Sequence, residues 1–306
     1  MIPMVTCFDI GGSFIRYAYP ADTGPVLEAG RVPTPLSDWP DFVEALRQCL
    51  PPAPGPAVIS LAGAFDAKTG IADVANIPCL HGRRVAAELS KGLGIPVEII
   101  NDADAFALAE AVDGIGAGKD MVFAIILGSG VGGGLVHKGE LVTGRGGIAG
   151  EWGHGPVVDP SVGGNYPNIP HLECGCGQTG CLDAYGSARG MEKLHAALHG
   201  TRLSSLDITS AWHQGNPEAS ATIEVFATLL SRALAMVVNL LSPDVIPVSG
   251  GLSSDTRLLA EIDRKTRALT LANYDTALLA RGAFAKTGGL QGAGIQARRS
   301  FPDAFR

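Results

Sequence analysis

The residues that most restrict what this chain can become lie between positions 150 and 183, GEWGHGPVVDPSVGGNYPNIPHLECGCGQTGCLD. The stretch shows little periodic hydrophobicity, so burial of its own side chains cannot hold it in one conformation. It does carry Cys174, Cys176 and Cys181 together with His154 and His171. Three thiolates and one imidazole are the donor set of a tetrahedral zinc site, and a bound metal would order the loop that core burial cannot. A Cys-x-Cys pair is too close for an unstrained disulfide of its own. One of the three could instead pair with Cys7, Cys49 or Cys79, or all could be free thiols. Clustered Cys and His favour zinc over either alternative, and spacing leaves His154 and His171 both open as the fourth ligand.

A chain of 306 residues has room for a sizeable core and two domains of ordinary size. Its net charge of −7 is spread without a basic stripe, which argues against nucleic acid and anionic membrane as partners. The N-terminal MIPMVTCFDIGG lacks the basic region, apolar stretch and small-residue cleavage site of a signal peptide. No uninterrupted apolar run reaches the length of a membrane span, the nearest being residues 121–127. Cytoplasmic residence is therefore the expectation, and a reducing compartment agrees with metal rather than disulfide. Glycine is the outlier at 41 residues, and it gathers at predicted turns.

Residues 4–19 read as a strand, a tight turn at Gly11-Gly12 and a second strand, with Asp9 closing the first and Ser13 opening the next. Glycines there would let backbone amides approach a phosphate, the hydroxyl could add a hydrogen bond, and the carboxylate could hold Mg2+ through water. An ordinary hairpin has the same sequence signature. Residues 57–61 form an apolar strand, Asn76 falls in a loop beyond it, and residues 84–93 form a helix stopped by Gly94. The strand 97–100 delivers Asn101 and Asp102 to the start of a helix over 103–112. Asp102 there is either a helix cap or a base able to take a proton from a substrate hydroxyl.

Residues 113–120 read as a hinge between domains, and the strand 122–127 runs into Gly128-Ser129-Gly130-Val131-Gly132-Gly133-Gly134 before a strand at 135–137. That glycine run lacks the Lys of a P-loop and the helix of a dinucleotide fingerprint, but a turn so rich in glycine could wrap nucleotide phosphates. Helices follow at 182–198 and 218–241, the latter with one apolar face through Ile223, Phe226, Leu230, Leu234, Val237 and Leu241. A short strand over 245–249 leads to Gly250-Gly251, and its Pro247 predicts an edge strand or a bulge. The C-terminal segment reads as two helices broken at Gly288-Gly289, and no internal repeat stands out.

Taken together, D9-I-G-G-S, N101-D102-A, G128-S-G-V-G-G-G, E151-W-G-H154 and C174-G-C-G-Q-T-G-C181 resemble the ROK family of sugar kinases and sugar-responsive regulators, in order and spacing over nearly the whole chain. Within the family the N-acetylglucosamine kinases are the most similar, with the fructokinases near. The resemblance implies an α/β protein of actin-like ATPase (ribonuclease H-like) fold, two α/β domains flanking a cleft. One would be residues 1–115 with 289–306, the other 116–288. It implies an ATP- and Mg2+-dependent hexose 6-kinase acting on N-acetyl-D-glucosamine, with N-acetylmannosamine, glucose and fructose as rival sugars. A sugar-sensing regulator without catalysis is the reading from another class. Such regulators usually carry a DNA-binding domain ahead of the first phosphate turn, where this sequence has only a few residues.

By the same resemblance, Asp102 would be the general base. Asn76, Asn101, Asp102, Glu151, His154 and Asp183 would contact the sugar. Asp9, Gly11, Gly12, Ser13, Gly128, Ser129, Gly130, Gly132, Gly133, Gly134, Gly250 and Gly251 would serve Mg2+ and ATP. His154 would join Cys174, Cys176 and Cys181 on a structural Zn2+, and the protein would be a homodimer. Three positions depart from the family pattern: Ser13 replaces Thr, Asp104 stands where Asn is common, and Asp183 replaces Glu. The shorter acid at 183 shortens a sugar contact and bears on which sugar fits.

Overall fold

The computed structural model describes residues 3–66, 69–74, 76–163 and 169–305. The chain opens with β1 (Met4–Ile10), β2 (Phe14–Ala18) and β3 (Glu28–Pro33), an antiparallel meander. β4 (Pro54–Leu61) and β7 (Val97–Asn101) then add in parallel, giving the order β3-β2-β1-β4-β7. Four consecutive residues of β1 and five of β4 are buried, the pattern of strands covered on both faces. On one face lie α1 (Trp39–Gln48), capped by Asp38, and α2 (Val85–Leu93), ended by Gly94 in the left-handed region. They bury Phe42, Leu46, Val85 and Leu89 with Phe8 and Ile59. A small hairpin, β5 (Ala64–Phe65) with β6 (Ala72–Asp73), follows β4.

The second half begins after α3 (Asp102–Val112) with the hairpin β8 (Met121–Leu127) and β9 (Val131–His137), extended by β10 (Glu140–Leu141). It continues through α4 (Asp183–Gly186), α5 (Ala188–His199), α6 (Ser205–His213) and α7 (Pro217–Leu241). β11 (Ile246–Ser249), α8 (Thr256–Arg267), β12 (Leu279–Arg281) and α9 (Gly288–Ser300) complete it. The order β10-β9-β8-β11-β12 repeats the plan of the first sheet, a meander plus two parallel strands. The sequence shows no such repeat, because only the backbone plan is shared. α7 is long and apolar enough by length and composition to cross a membrane, yet 61% of its most apolar window is buried inside the protein. Its Ile223, Phe226, Leu230 and Leu234 fill the core of this half.

Two helices join the halves. α9 lies on β1 and β4, α3 lies on β8 and β9, and the two pack against each other. Their approach is so close that a Cβ on Gly292 would sit 1.9 Å from the Ala105 carbonyl oxygen.

Several local expectations change. Pro247 lies in an interior strand, not at an edge, since β11 is flanked by β8 and β12. The pairing to β8 skips the proline: Val245 bridges Val122 and Val248 resumes opposite Ile125, so the missing N–H falls where no ladder bond is made. The expected helix over 182–198 divides at Ser187, whose hydroxyl accepts from the Gly190 N–H and caps α5. α6 and α8 went unread. Residues 279–281 are strand, and Gly288-Gly289 open α9 rather than break it. Gly132, Gly133 and Gly134 are β9 residues, not part of the turn.

Candidate active site

Within each sheet the parallel strands end at a common edge, and those ends carry the chemistry-bearing residues, as in open α/β sheets generally. β1 delivers Asp9, followed by Gly11, Gly12 and Ser13. A Cβ on Gly12 would lie 3.5 Å from the Asn76 carbonyl oxygen, so this turn and Asn76 are neighbours. β7 delivers Asn101, which caps α3 by accepting from the Ala103 and Asp104 N–H groups while its Nδ2 donates 3.0 Å to the Gly63 carbonyl beyond β4. The capping role offered for Asp102 therefore belongs to Asn101, and Asp102 is the first helical residue. In the second sheet β8 runs into Gly128-Ser129-Gly130 and β11 into Gly250-Gly251. The two turns touch: Gly250, at φ 85°, would place a Cβ 2.3 Å from the Leu127 carbonyl oxygen.

Gly132, Gly133 and Gly134 stand apart from the turn. A Cβ at Gly133 would meet the Trp152 ring at 2.6 Å, and one at Gly134 would meet the Ala103 carbonyl oxygen at 2.6 Å. These glycines let α3 and Trp152 press onto β9, and the Trp152 indole N–H completes the contact on the Gly132 carbonyl at 2.9 Å.

The acidic groups at this face raise one another's pKa. Burial, then the Asp9 carboxylate and more weakly that of Glu151, push Asp102 up to about 6 against the opposing Ala103 N–H. A carboxylate so tuned is ionised at neutral pH yet more basic than an exposed aspartate, which suits a general base. Burial also raises Asp9, offset in part by Arg16, whose Nη1 is 3.7 Å away. Arg16 lies directly across the β1–β2 ladder from Asp9 and also donates to the Lys286 carbonyl at 2.8 Å. The sequence reading missed it, although the hairpin register pairs the two once the Gly11-Gly12 turn is accepted. Asp104 is 7% exposed with an unpartnered Oδ1, and burial followed by Glu151 and Asp102 raises it to about 7. Buried, mutually repelling carboxylates, opposed in part by Arg16 beside Asp9 and His154 beside Glu151, fit a site that receives a divalent cation.

The Cys-rich loop closes as a knuckle: the Cys174 N–H donates to the Gln178 carbonyl at 2.8 Å and the Gly177 N–H to the Cys174 carbonyl at 3.0 Å. Ligand atoms of His154, Cys174, Cys176 and Cys181 all lie within 4.8 Å of one another, and His171 is not in the group. The Cys176 and Cys181 sulfurs are 3.6 Å apart, as are the Cys174 sulfur and His154 Nδ1. Zn–S bonds of about 2.3 Å at tetrahedral angles separate sulfurs by about 3.8 Å, so these donors fit zinc. Burial raises the Cys174 and Cys181 thiols, whereas a Gln178 backbone hydrogen bond lowers Cys176. A bound dication would reverse the first effect, and four protein donors leave it no open position for water. His154 Nε2 lies 3.8 Å from Glu151 Oε2, so the carboxylate stands beside the imidazole without a direct hydrogen bond.

Asp183 meets two backbone groups and a sulfur. Its Oδ1 accepts the Val131 N–H at 2.7 Å, its Oδ2 lies 3.7 Å from the Cys174 sulfur, and its own N–H donates to the Gly153 carbonyl at 2.8 Å. The short side chain ends on the Val131 backbone amide.

The duplicated meander, the glycine turns at strand ends and the aspartate opening α3 define a phosphotransferase of the actin-like ATPase fold. Residues 5–299 match the ROK family, and the chain belongs to it. The N-acetyl-D-glucosamine kinase of Yersinia pseudotuberculosis serotype O:1b is 33% identical over 292 residues, 94% of this chain and 96% of that one. Among solved structures, a ROK hexokinase from Thermus thermophilus superposes with a TM-score of 0.83 at 25% identity, covering 98% of this chain and 99% of that one. A ROK family glucokinase from Streptomyces griseus, solved in complex with glucose and AMPPNP, gives 0.77 at 27% identity, covering 97% and 99%. This protein is an ATP-dependent sugar kinase.

Proposed function

We propose that the protein transfers the γ-phosphoryl group of ATP to the 6-hydroxyl of N-acetyl-D-glucosamine, with Asp102 as general base. The observation that carries the catalytic part is Asp102 itself, at the start of α3, raised to about 6 by burial and by the Asp9 carboxylate. The similarity to N-acetyl-D-glucosamine kinases over 94% of the chain supports the choice of sugar. Asn76, Asn101, Glu151 and His154 would hold sugar hydroxyls so that the 6-hydroxyl meets Asp102. The amides of Gly11, Gly12 and Ser13 and of residues 128–130 would hold phosphates, and Gly250-Gly251 would pass beside the adenosine. Mg2+, placed by Asp9, would supply charge neutralisation on the transferring phosphoryl group. Zn2+ would fix the wall formed by Glu151 and His154. The same reading divides the chain into residues 1–115 with 289–306 and residues 116–288; the seating of α9 on β1 and β4 supports that division.

The test is phosphorylation of N-acetylglucosamine, N-acetylmannosamine, glucose and fructose by purified protein with Mg-ATP. N-acetylglucosamine is expected to give the highest kcat/KM. A better rival sugar overturns the substrate assignment, and phosphorylation of none of them overturns the reading of the site.

A further inference from the structure

The turn between β8 and β9 does not hold itself. Beyond the Gly128 N–H bond to the Gly130 carbonyl, the ties of the turn and of the first residues of β9 run to the start of α5, to Asp183 and to Trp152. The Gly128 carbonyl accepts the Ala188 N–H at 2.8 Å, where α5 begins. The Val131 N–H goes to Asp183 at 2.7 Å, and the Gly132 carbonyl takes the Trp152 indole at 2.9 Å. Of these three ties, only that of Asp183 brings a charge. Its carboxylate also fills the space beside the turn: a Cβ on Gly130 would lie 2.7 Å from Asp183 Oδ1. Its backbone is pinned in turn by the Gly153 carbonyl, one residue from His154, and Gly153 itself is pressed to 2.4 Å, at the Cβ position, from the Val131 carbonyl oxygen.

We propose that Asp183 is a positioning residue for the nucleotide: it locks the β8–β9 turn to the Cys/His knuckle and makes no contact with the sugar. The reason is reach. An aspartate at this point of the backbone ends on the Val131 N–H, whereas a glutamate, one methylene longer, would overrun Gly130 and turn out of the groove. A charge-assisted bond to a backbone amide is stronger than a neutral one and fixes that amide's direction. The turn's remaining amides are thereby aimed before any ligand arrives, which lowers the ordering cost of binding. The knuckle, which would otherwise serve the sugar alone, so extends its rigidity to the phosphate side of the site.

This proposal rests on the β8–β9 turn being a phosphate turn, and the experiment separates the two. Binding of AMPPNP with Mg2+ and, separately, of N-acetylglucosamine is measured by calorimetry for the wild type and for Asp183→Ala, Asp183→Asn, Asp183→Leu, Asp183→Glu and Ser129→Glu, with zinc content determined for each. Asp183→Ala is expected to weaken AMPPNP about 10-fold or more, the effect of losing a charged hydrogen bond. Sugar affinity should move less than about 3-fold, with zinc retained. Asp183→Asn keeps the shape and an acceptor at Oδ1 and should restore nucleotide affinity to within about 3-fold of wild type, whereas Asp183→Leu, which fills the space without an acceptor, should behave like alanine; recovery in Asp183→Leu overturns the positioning role. Asp183→Glu should resemble alanine toward the nucleotide. Loss of sugar affinity in Asp183→Ala with AMPPNP unaffected, or a nucleotide affinity preserved in Asp183→Glu, overturns the proposal. If Ser129→Glu, which places a negative charge on the turn, leaves AMPPNP binding unchanged, the turn is not a phosphate site and both ideas fall. If Ser129→Glu weakens binding and Asp183→Ala does not, only the positioning role falls.

Discussion

Asp102→Asn should make the protein more stable and inactive at once. The Asp102 carboxyl is raised from 3.8 to about 6 in the folded state, mainly by burial and next by Asp9. Each pKa unit corresponds to about 1.36 kcal/mol, so a rise of about 2 units puts the penalty of holding Asp102 ionised near 3 kcal/mol. For an acid whose folded pKa is raised, the folded state binds the proton more tightly than the unfolded chain. The penalty is therefore complete above the folded value, shrinks as pH falls through about 6, and is gone well below about 4. Asparagine keeps the shape without the charge. At pH 7.5 the variant should melt about 6 °C higher, at about 2 °C per kcal/mol for a chain of this size, and the gain should shrink to about a third of that at pH 4.5. Turnover should drop by at least about 100-fold, the lower end for losing a general base, with sugar binding preserved. Thermal melts of both proteins across that pH range, paired with a coupled ADP-release assay, check it. A variant that is no more stable at pH 7.5, or whose gain persists unchanged at pH 4.5, refutes the electrostatic argument; retained turnover removes Asp102 from the role of base.

Other consequences are as direct. Wild-type kcat/KM should fall about tenfold per unit below pH 6 as Asp102 takes up its proton, and a pH–rate profile flat from 7 to 5 would contradict the raised value. Cys176→Ser should lower bound zinc well below one per chain by plasma mass spectrometry and weaken sugar binding, since it removes one of four donors from a closed set; full zinc retention would remove Cys176 from the ligands. Gly292→Ala should destabilise the protein by about 3 kcal/mol in urea unfolding, although alanine is the better helix former by about 1 kcal/mol. Its methyl would fall 1.9 Å from the Ala105 carbonyl oxygen, so a stabilised variant would mean that α3 and α9 do not cross so closely.

Particular residues show where sequence reading reached and where it stopped. The strand-to-helix delivery of Asn101 and Asp102 was legible because an apolar run followed by Asn-Asp and an alanine-rich stretch has few other solutions. The Cys3His set was legible from donor chemistry, but the choice of His154 over His171 needed the resemblance; among the described residues His154 is the one whose nitrogen lies with the three sulfurs. Residues 279–281 read as helix because three residues carry no period; they are strand because β11 offers an open edge, and the Ile246 N–H bonds to the Leu278 carbonyl at 2.7 Å as the pairing begins. Gly132 to Gly134 read as turn glycines in the sequence, but they are the strand positions on which α3 and Trp152 rest.

By itself, then, the sequence determined the identity of the chemical groups and their neighbours along the chain: an aspartate at a helix start, glycines at strand ends, thiols two and five residues apart. Those follow from local geometry and side-chain chemistry. Only the tertiary structure decided which groups from distant elements face one another: Asp9 and Glu151 against Asp102, and Asp183 on the Val131 amide. Such pairings depend on sheet register and on the crossing of α3 with α9, and no spacing along the chain encodes either.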